Sequence, residues 1–270
     1  MIRFIDEQPG PGRLGRHVGH DQRSRAFPIS EDLFPATYVS AIHKVDIPVL
    51  NQGQLGSCTG NAAEGLVGSD PVYLAVPLDL PARPTADAVQ DEAQAVALYS
   101  AATARDGIHG RYPPLDTGSS GLAVAKAAKS AGLISGYQHA FSLDATLKAL
   151  SVMPLIVGVH WYEGFDHPDA AGHVSISGSV RGGHEFLLYG IDAEQHTVLA
   201  RNSWGTAYGV EGSFTFSWDD LERLLAEQGD ATLFVPLSSP APTPTVPTAP
   251  EAVDLALVAA FETWRQARGV

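Results

Sequence analysis

Apolar residues recur at helical spacing through the first part of the chain, then gather into short runs split by glycine turns. Asn61–Val67 predicts a helix that continues from Cys58. Ala88–Arg105 predicts an alanine-rich helix with Val89, Ala93, Val96 and Leu98 toward one apolar side, stopping at Asp106-Gly107. Gly121–Ala131 predicts a third, closed by Gly132, a residue suited to the turn after a helix. Strands are expected at Pro154–Val159, Glu185–Tyr189, Thr197–Asn202, Ser213–Phe216 and Ala231–Val235, all rich in β-branched or large apolar residues. Helices first and strands later, without strand–helix–strand alternation, predict an α+β fold with two segregated lobes.

The flanks differ from this core. Residues 1–45 carry mixed charge and two close prolines, Pro9 and Pro11, and read as an extended lead-in to a domain spanning 46–235. Residues 236–250 hold six of the 19 prolines and no charge, so they read as a semi-rigid linker. In 251–270, Val253, Leu257, Phe261 and Trp264 make one helical stripe. Such a helix is marginal alone and needs an apolar partner: its own domain, a second copy or another protein.

Composition narrows the function. The 270 residues are 44% hydrophobic and 17% charged, which fits a folded globular chain. A net charge of −13 argues against nucleic-acid binding. Apolar runs such as Met153–Val159 fall far short of the ~20 residues that span a bilayer, so no membrane role is expected. The first residues lack an apolar signal region, and Cys58 is the single cysteine, which together predict a cytoplasmic protein without disulfides. His160, His167 and His173 match no familiar zinc spacing, so no metal is expected.

Three short stretches carry chemistry. In Asn51-Gln52-Gly53-Gln54-Leu55-Gly56-Ser57-Cys58-Thr59, a glycine-rich turn delivers a cysteine to the head of a helix, with Ser57 as its cap. Helix-head N–H groups lower a thiol pKa and favour the nucleophilic form. Gln52 is placed to fold back and donate to an oxyanion, with the Cys58 N–H as second donor. In Gly182-Gly183-His184, a histidine opens an apolar strand. In Asn202-Ser203-Trp204-Gly205, an asparagine ends the next strand, suited to accept the imidazole N–H, with Trp204 shielding that bond.

Together these stretches resemble the papain-like cysteine peptidases. The resemblance rests on Gln52-Gly53 through Gly56-Ser57-Cys58, on Gly183-His184, and on Asn202-Ser203-Trp204-Gly205 followed by Gly209-Val210-Glu211-Gly212, and it covers roughly 45–235. It implies a helical lobe against a β-rich lobe with the cleft between them. It further implies Cys58 as nucleophile, His184 as general base and acid, Asn202 as the residue orienting it, and Gln52 as oxyanion donor. Gly118, Ser119, Ser120 and Gly121 resemble the wall that contacts the acyl side of a substrate.

Thr59 replaces the usual aromatic, and Leu55 stands where a second cysteine is familiar; Gly-Ser-Cys-Thr-x-Asn-Ala resembles a bacterial and phage branch. Only 57 residues precede Cys58, so the long inhibitory propeptide of secreted relatives is not expected. The implied activity is endopeptidase hydrolysis of peptides or proteins, and it implies no cofactor. The alternatives are an isopeptidase or amidase, a transglutaminase-like acyl transferase, or a silent peptide-binding module.

Overall fold

A computed structural model describes residues 7–30 and 34–237 of the chain; most of the linker and the stripe at 251–270 lie outside them. In chain order the strands are β1 (Ala41–Ile42), β2 (Gly136–Ala140), β3 (Leu155–Tyr162), β4 (Val180–Asp192), β5 (Thr197–Arg201), β6 (Ser213–Ser217) and β7 (Asp230–Val235). The α-helices are α1 (Cys58–Val67), α2 (Val72–Ala75), α3 (Ala88–Thr103), α4 (Gly121–Ser130), α5 (Leu143–Leu150) and α6 (Trp218–Ala226). No helix among the described residues is long and apolar enough to cross a membrane.

All ten residues of α1 are buried, although the helix has no strongly apolar stripe. The reason is that both sides are covered, one by α3 and the other by β4. Asp87 caps α3 by accepting from the Val89 and Gln90 N–H groups, and Ser120 caps α4 by accepting from Ala123. α3 also packs on α4, which completes the helical side.

The strands form one antiparallel sheet in the order β2-β7-β3-β4-β5-β6, with β1 added to β4. β3 reads Leu-Ile-Val-Gly-Val-His-Trp-Tyr, and its branched and aromatic residues suit a sheet covered on both faces. This is the expected α+β class, with helices packed on an antiparallel sheet. Two registers set up the site. Val159 of β3 pairs with His184 of β4, and Leu187 of β4 pairs with Arg201 of β5. Asn202, one residue beyond Arg201, therefore ends β5 beside the first half of β4.

Candidate active site

Cys58 is the first residue of α1. The preceding turn is tied down by Gln52, whose N–H donates to the Ser203 carbonyl at 2.9 Å and whose Oε1 accepts from Ser203 Oγ at 2.7 Å. Ser57 stands at the cap position but makes no capping bond; its hydroxyl donates to Asn61 Oδ1 at 2.9 Å instead. The Cys58 thiol feels the backbone N–H of Glu185, the residue after His184. Helix head and strand opening therefore meet.

His184 is buried, and its Nε2 lies 2.7 Å from Asn202 Oδ1. An amide oxygen only accepts, so the proton sits on Nε2 and Nδ1 keeps its lone pair. That Nδ1 has no hydrogen-bond partner among the described residues. Two indoles hold the ring: Trp161 edge-on at 4.7 Å and Trp204 tilted at 5.2 Å. An oriented base with a free lone pair thus stands one residue before Glu185, whose backbone N–H meets the helix-head thiol.

A peptide already lies across this site: the chain's own residues 7–20. Trp204 Nε1 donates to the Arg13 carbonyl at 2.9 Å, and Gln52 Nε2 donates to the Leu14 carbonyl at 3.2 Å. Ser119 N–H donates to the Gly15 carbonyl at 2.9 Å, and its carbonyl accepts from His17 N–H at 2.8 Å. Arg16 N–H donates to the Gly183 carbonyl at 3.0 Å. Gly15 sits so close that a Cβ there would lie 2.1 Å from the Gly56 carbonyl oxygen, and a Cβ on Gly118 would lie 2.3 Å from that of Gly15. The two backbones approach this closely because both positions are glycine. Arg181 holds the segment's start, donating to the Gln8 and Gly12 carbonyls at 3.0 and 3.2 Å while paired with Asp166. Arg13 bridges Glu7 and Asp116.

The sequence matches no family model and no curated protein. Its structure does have solved neighbours. Xylellain, a cysteine protease from Xylella fastidiosa, superposes with a TM-score of 0.62 at 16% identity, covering 87% of this chain and 100% of that one. The proCathepsin B S9 of Trypanosoma congolense gives 0.56 at 10% identity, covering 84% and 87%. A recombinant stem bromelain precursor gives 0.50 at 16%, covering 87% and 79%. This chain has the papain-like fold.

Within the papain-like fold, the expected residues fall as follows. Cys58, His184, Asn202, Gln52 and Trp204 come together. Of the proposed cleft wall, Ser119 meets the bound segment by main-chain bonds, and Gly118 lies against Gly15. Ser120 is the cap of α4, and Gly121 begins that helix facing the Glu185 carboxylate. Sequence reasoning missed Trp161, Glu185, Asp230 and the destination of Arg16. An acidic residue beside His184, inside an apolar strand, was a visible signal for Glu185. Arg16 carried none.

One expectation needs correction. The thiol was expected to be activated by its helix head. Instead burial, with Glu185 adding to it, pushes the Cys58 thiol well above its ordinary value. The segment lies close by, with Gly15 packed on Gly56, two residues before the thiol. Burial likewise lowers His184 to about 4. The N-terminal lead-in, read only as extended, is held in the cleft by main-chain bonds to Ser119 and Gly183.

His17 of that segment gives a pH prediction. Its Nε2 donates to the Thr117 carbonyl at 3.2 Å, yet burial, aided by the Arg16 charge, holds its pKa at about 4, against an ordinary 6.5. The unfolded chain protonates this group near 6.5 and the folded chain only near 4. Its share of stability is therefore complete above pH 6.5 and lost as pH falls toward 4. The loss amounts to about 3 kcal/mol. Other buried groups titrate nearby, Glu185 in the opposite sense since it is raised to about 8, mainly by burial. Comparison with His17→Gln isolates the effect. Denaturant midpoints should show the wild type losing about 3 kcal/mol more than His17→Gln over this range. Parallel pH profiles for the two proteins would refute it.

Proposed function

We propose that this chain is a cysteine endopeptidase whose cleft is filled by its own N-terminal segment. The observation that carries the reading is His184, held by Asn202 through Nε2 and free at Nδ1, in the same cleft as the Cys58 thiol and a bound peptide backbone. When a substrate replaces the segment, His184 Nδ1 takes the thiol proton and the sulfur attacks the peptide carbonyl. Negative charge gathers on the carbonyl oxygen, where Gln52 Nε2 and the Cys58 N–H donate. The bond from Gln52 to the Leu14 carbonyl supports this role, because that amide already serves a peptide oxygen in the cleft. His184 then gives its proton to the leaving amine. Water, deprotonated by the same imidazole, hydrolyses the thioester and restores the thiol. An isopeptidase, amidase or acyl transferase would share every step but the identity of amine and acceptor.

The direct test is labelling with an epoxysuccinyl peptide followed by mass mapping, with Cys58 as the expected modified residue. Modification confined to any other residue would defeat the reading. Two variants separate the supporting roles. Gln52→Ala should lower kcat by roughly 10²–10³-fold through loss of an oxyanion donor. Asn202→Ala should be milder, because it leaves both donors in place and only frees the imidazole. KM effects with unchanged kcat in both would assign them to ground-state binding.

A further inference from the structure

The chain between Gln52 and Cys58 is a glycine-rich turn, and one carboxylate holds both of its ends. Glu92 of α3 accepts the Asn51 N–H at Oε2, 2.8 Å away. Its other oxygen, Oε1, accepts from Asn61 Nδ2 of α1 at 2.7 Å. Asn51 directly precedes Gln52. Asn61 reaches the far end of the turn through Ser57, which directly precedes Cys58 and donates its hydroxyl to Asn61 Oδ1 at 2.9 Å. The Asn61 amide therefore has a fixed orientation, oxygen toward Ser57 and nitrogen toward Glu92.

The brace belongs to Glu92 and stands on a firm base. The neighbouring acid, Asp91, is fully buried and bonds elsewhere, its Oδ1 accepting from the Thr85 N–H at 2.7 Å and Thr85 Oγ1 at 2.8 Å. α1 lies so close to α3 that a Cβ on Gly60 would stand 2.1 Å from the Ala95 carbonyl oxygen, which fixes the spacing of the two helices. The turn itself needs such a restraint. Gly53 adopts a φ of 57°, and nothing stands within 4 Å of where its Cβ would be, so packing does not hold that position.

We propose that Glu92 is a positioning residue that sets the spacing of the two oxyanion donors, Gln52 Nε2 and the Cys58 N–H; this rests on the peptidase reading above. A donor stabilises the oxyanion only at hydrogen-bond distance from the place where the charge develops. The two donors lie between the two points that Glu92 holds, so losing its carboxylate loosens both together. The main-chain bonds that hold a peptide at Ser119 and Gly183 come from other elements and stay in place.

The test is a double-mutant cycle in the full chain, with a saturating fluorogenic peptide amide as substrate. The N-terminal segment competes with substrate, so a change in its hold enters KM and leaves kcat alone. Glu92→Ala should lower kcat roughly 10- to 10²-fold. Glu92→Gln keeps one of the two acceptor bonds and should fall between Glu92→Ala and the wild type. In a Gln52→Ala background the cost of Glu92→Ala should shrink to roughly threefold or less, because one donor that it places is already gone. A purely structural role would not produce that coupling. If Glu92→Ala does not fold, Glu92→Gln carries the same cycle. An unchanged kcat, or the same fold loss with and without Gln52, would overturn the inference and leave the peptidase reading standing. A loss confined to KM would assign Glu92 to substrate binding and overturn it as well. No hydrolysis by the wild type, with Cys58 unlabelled by an epoxysuccinyl peptide, would defeat both.

Discussion

Cys58→Ala should abolish peptide hydrolysis and leave the fold in place. The chain has one cysteine, so no second thiol can take over the attack. Removing the nucleophile from a unit of nucleophile, base and orienting group costs on the order of 10⁴-fold or more, because the remaining members then have nothing to activate. The structural cost is small. Alanine is a strong helix former, and the void left by one sulfur at the head of α1 is worth about 1 kcal/mol. Activity should therefore vanish while the melting temperature moves by only a few degrees. Hydrolysis by the variant at the wild-type rate would place the nucleophile elsewhere.

Arg16→Ala should make Cys58 react with iodoacetamide roughly 10²-fold faster in the full chain. The thiol is buried, Gly15 of the segment packs on Gly56 two residues before it, and Arg16 anchors that segment on Asp230. Losing the cation of a buried ion pair costs about 3 kcal/mol or more, because Asp230 stays behind without its partner. That shifts the balance between covered and open cleft by roughly two powers of ten. The single cysteine makes the measurement clean, since all label reports one site. The pH–rate profile should also move down, because solvent and the helix head act on the thiol once the cover leaves. An unchanged rate would mean that something other than this segment shields Cys58.

Both expectations rest on residues of different legibility. Cys58, His184 and Asn202 stand in short local signatures: a glycine turn before a helix head, a histidine opening a strand, an asparagine closing the next. Each needs only a few neighbouring residues to form, so each is written in contiguous sequence. The main strands were legible for the same reason. The short α2 and the brief β1 were not, because four- and two-residue elements carry no periodicity of their own. α5 and α6 were missed despite Ser142 and Ser217 as caps and clear apolar stripes, such as Leu221, Leu224 and Leu225.

The sequence by itself determined the α+β class, the chemical types at the cleft and the order in which they occur. Only the tertiary structure decided that residues 7–20 return to the cleft, that Arg16 meets Asp230 across more than two hundred positions, and that β7 inserts between β2 and β3. It also decided the protonation states. A helix head lowers a thiol pKa through local dipoles, but burial raises it through loss of water, and burial depends on what packs above the group. Local pattern carries the identity of a reactive group, whereas solvent access, which sets its state, arises from contacts between distant parts of the chain.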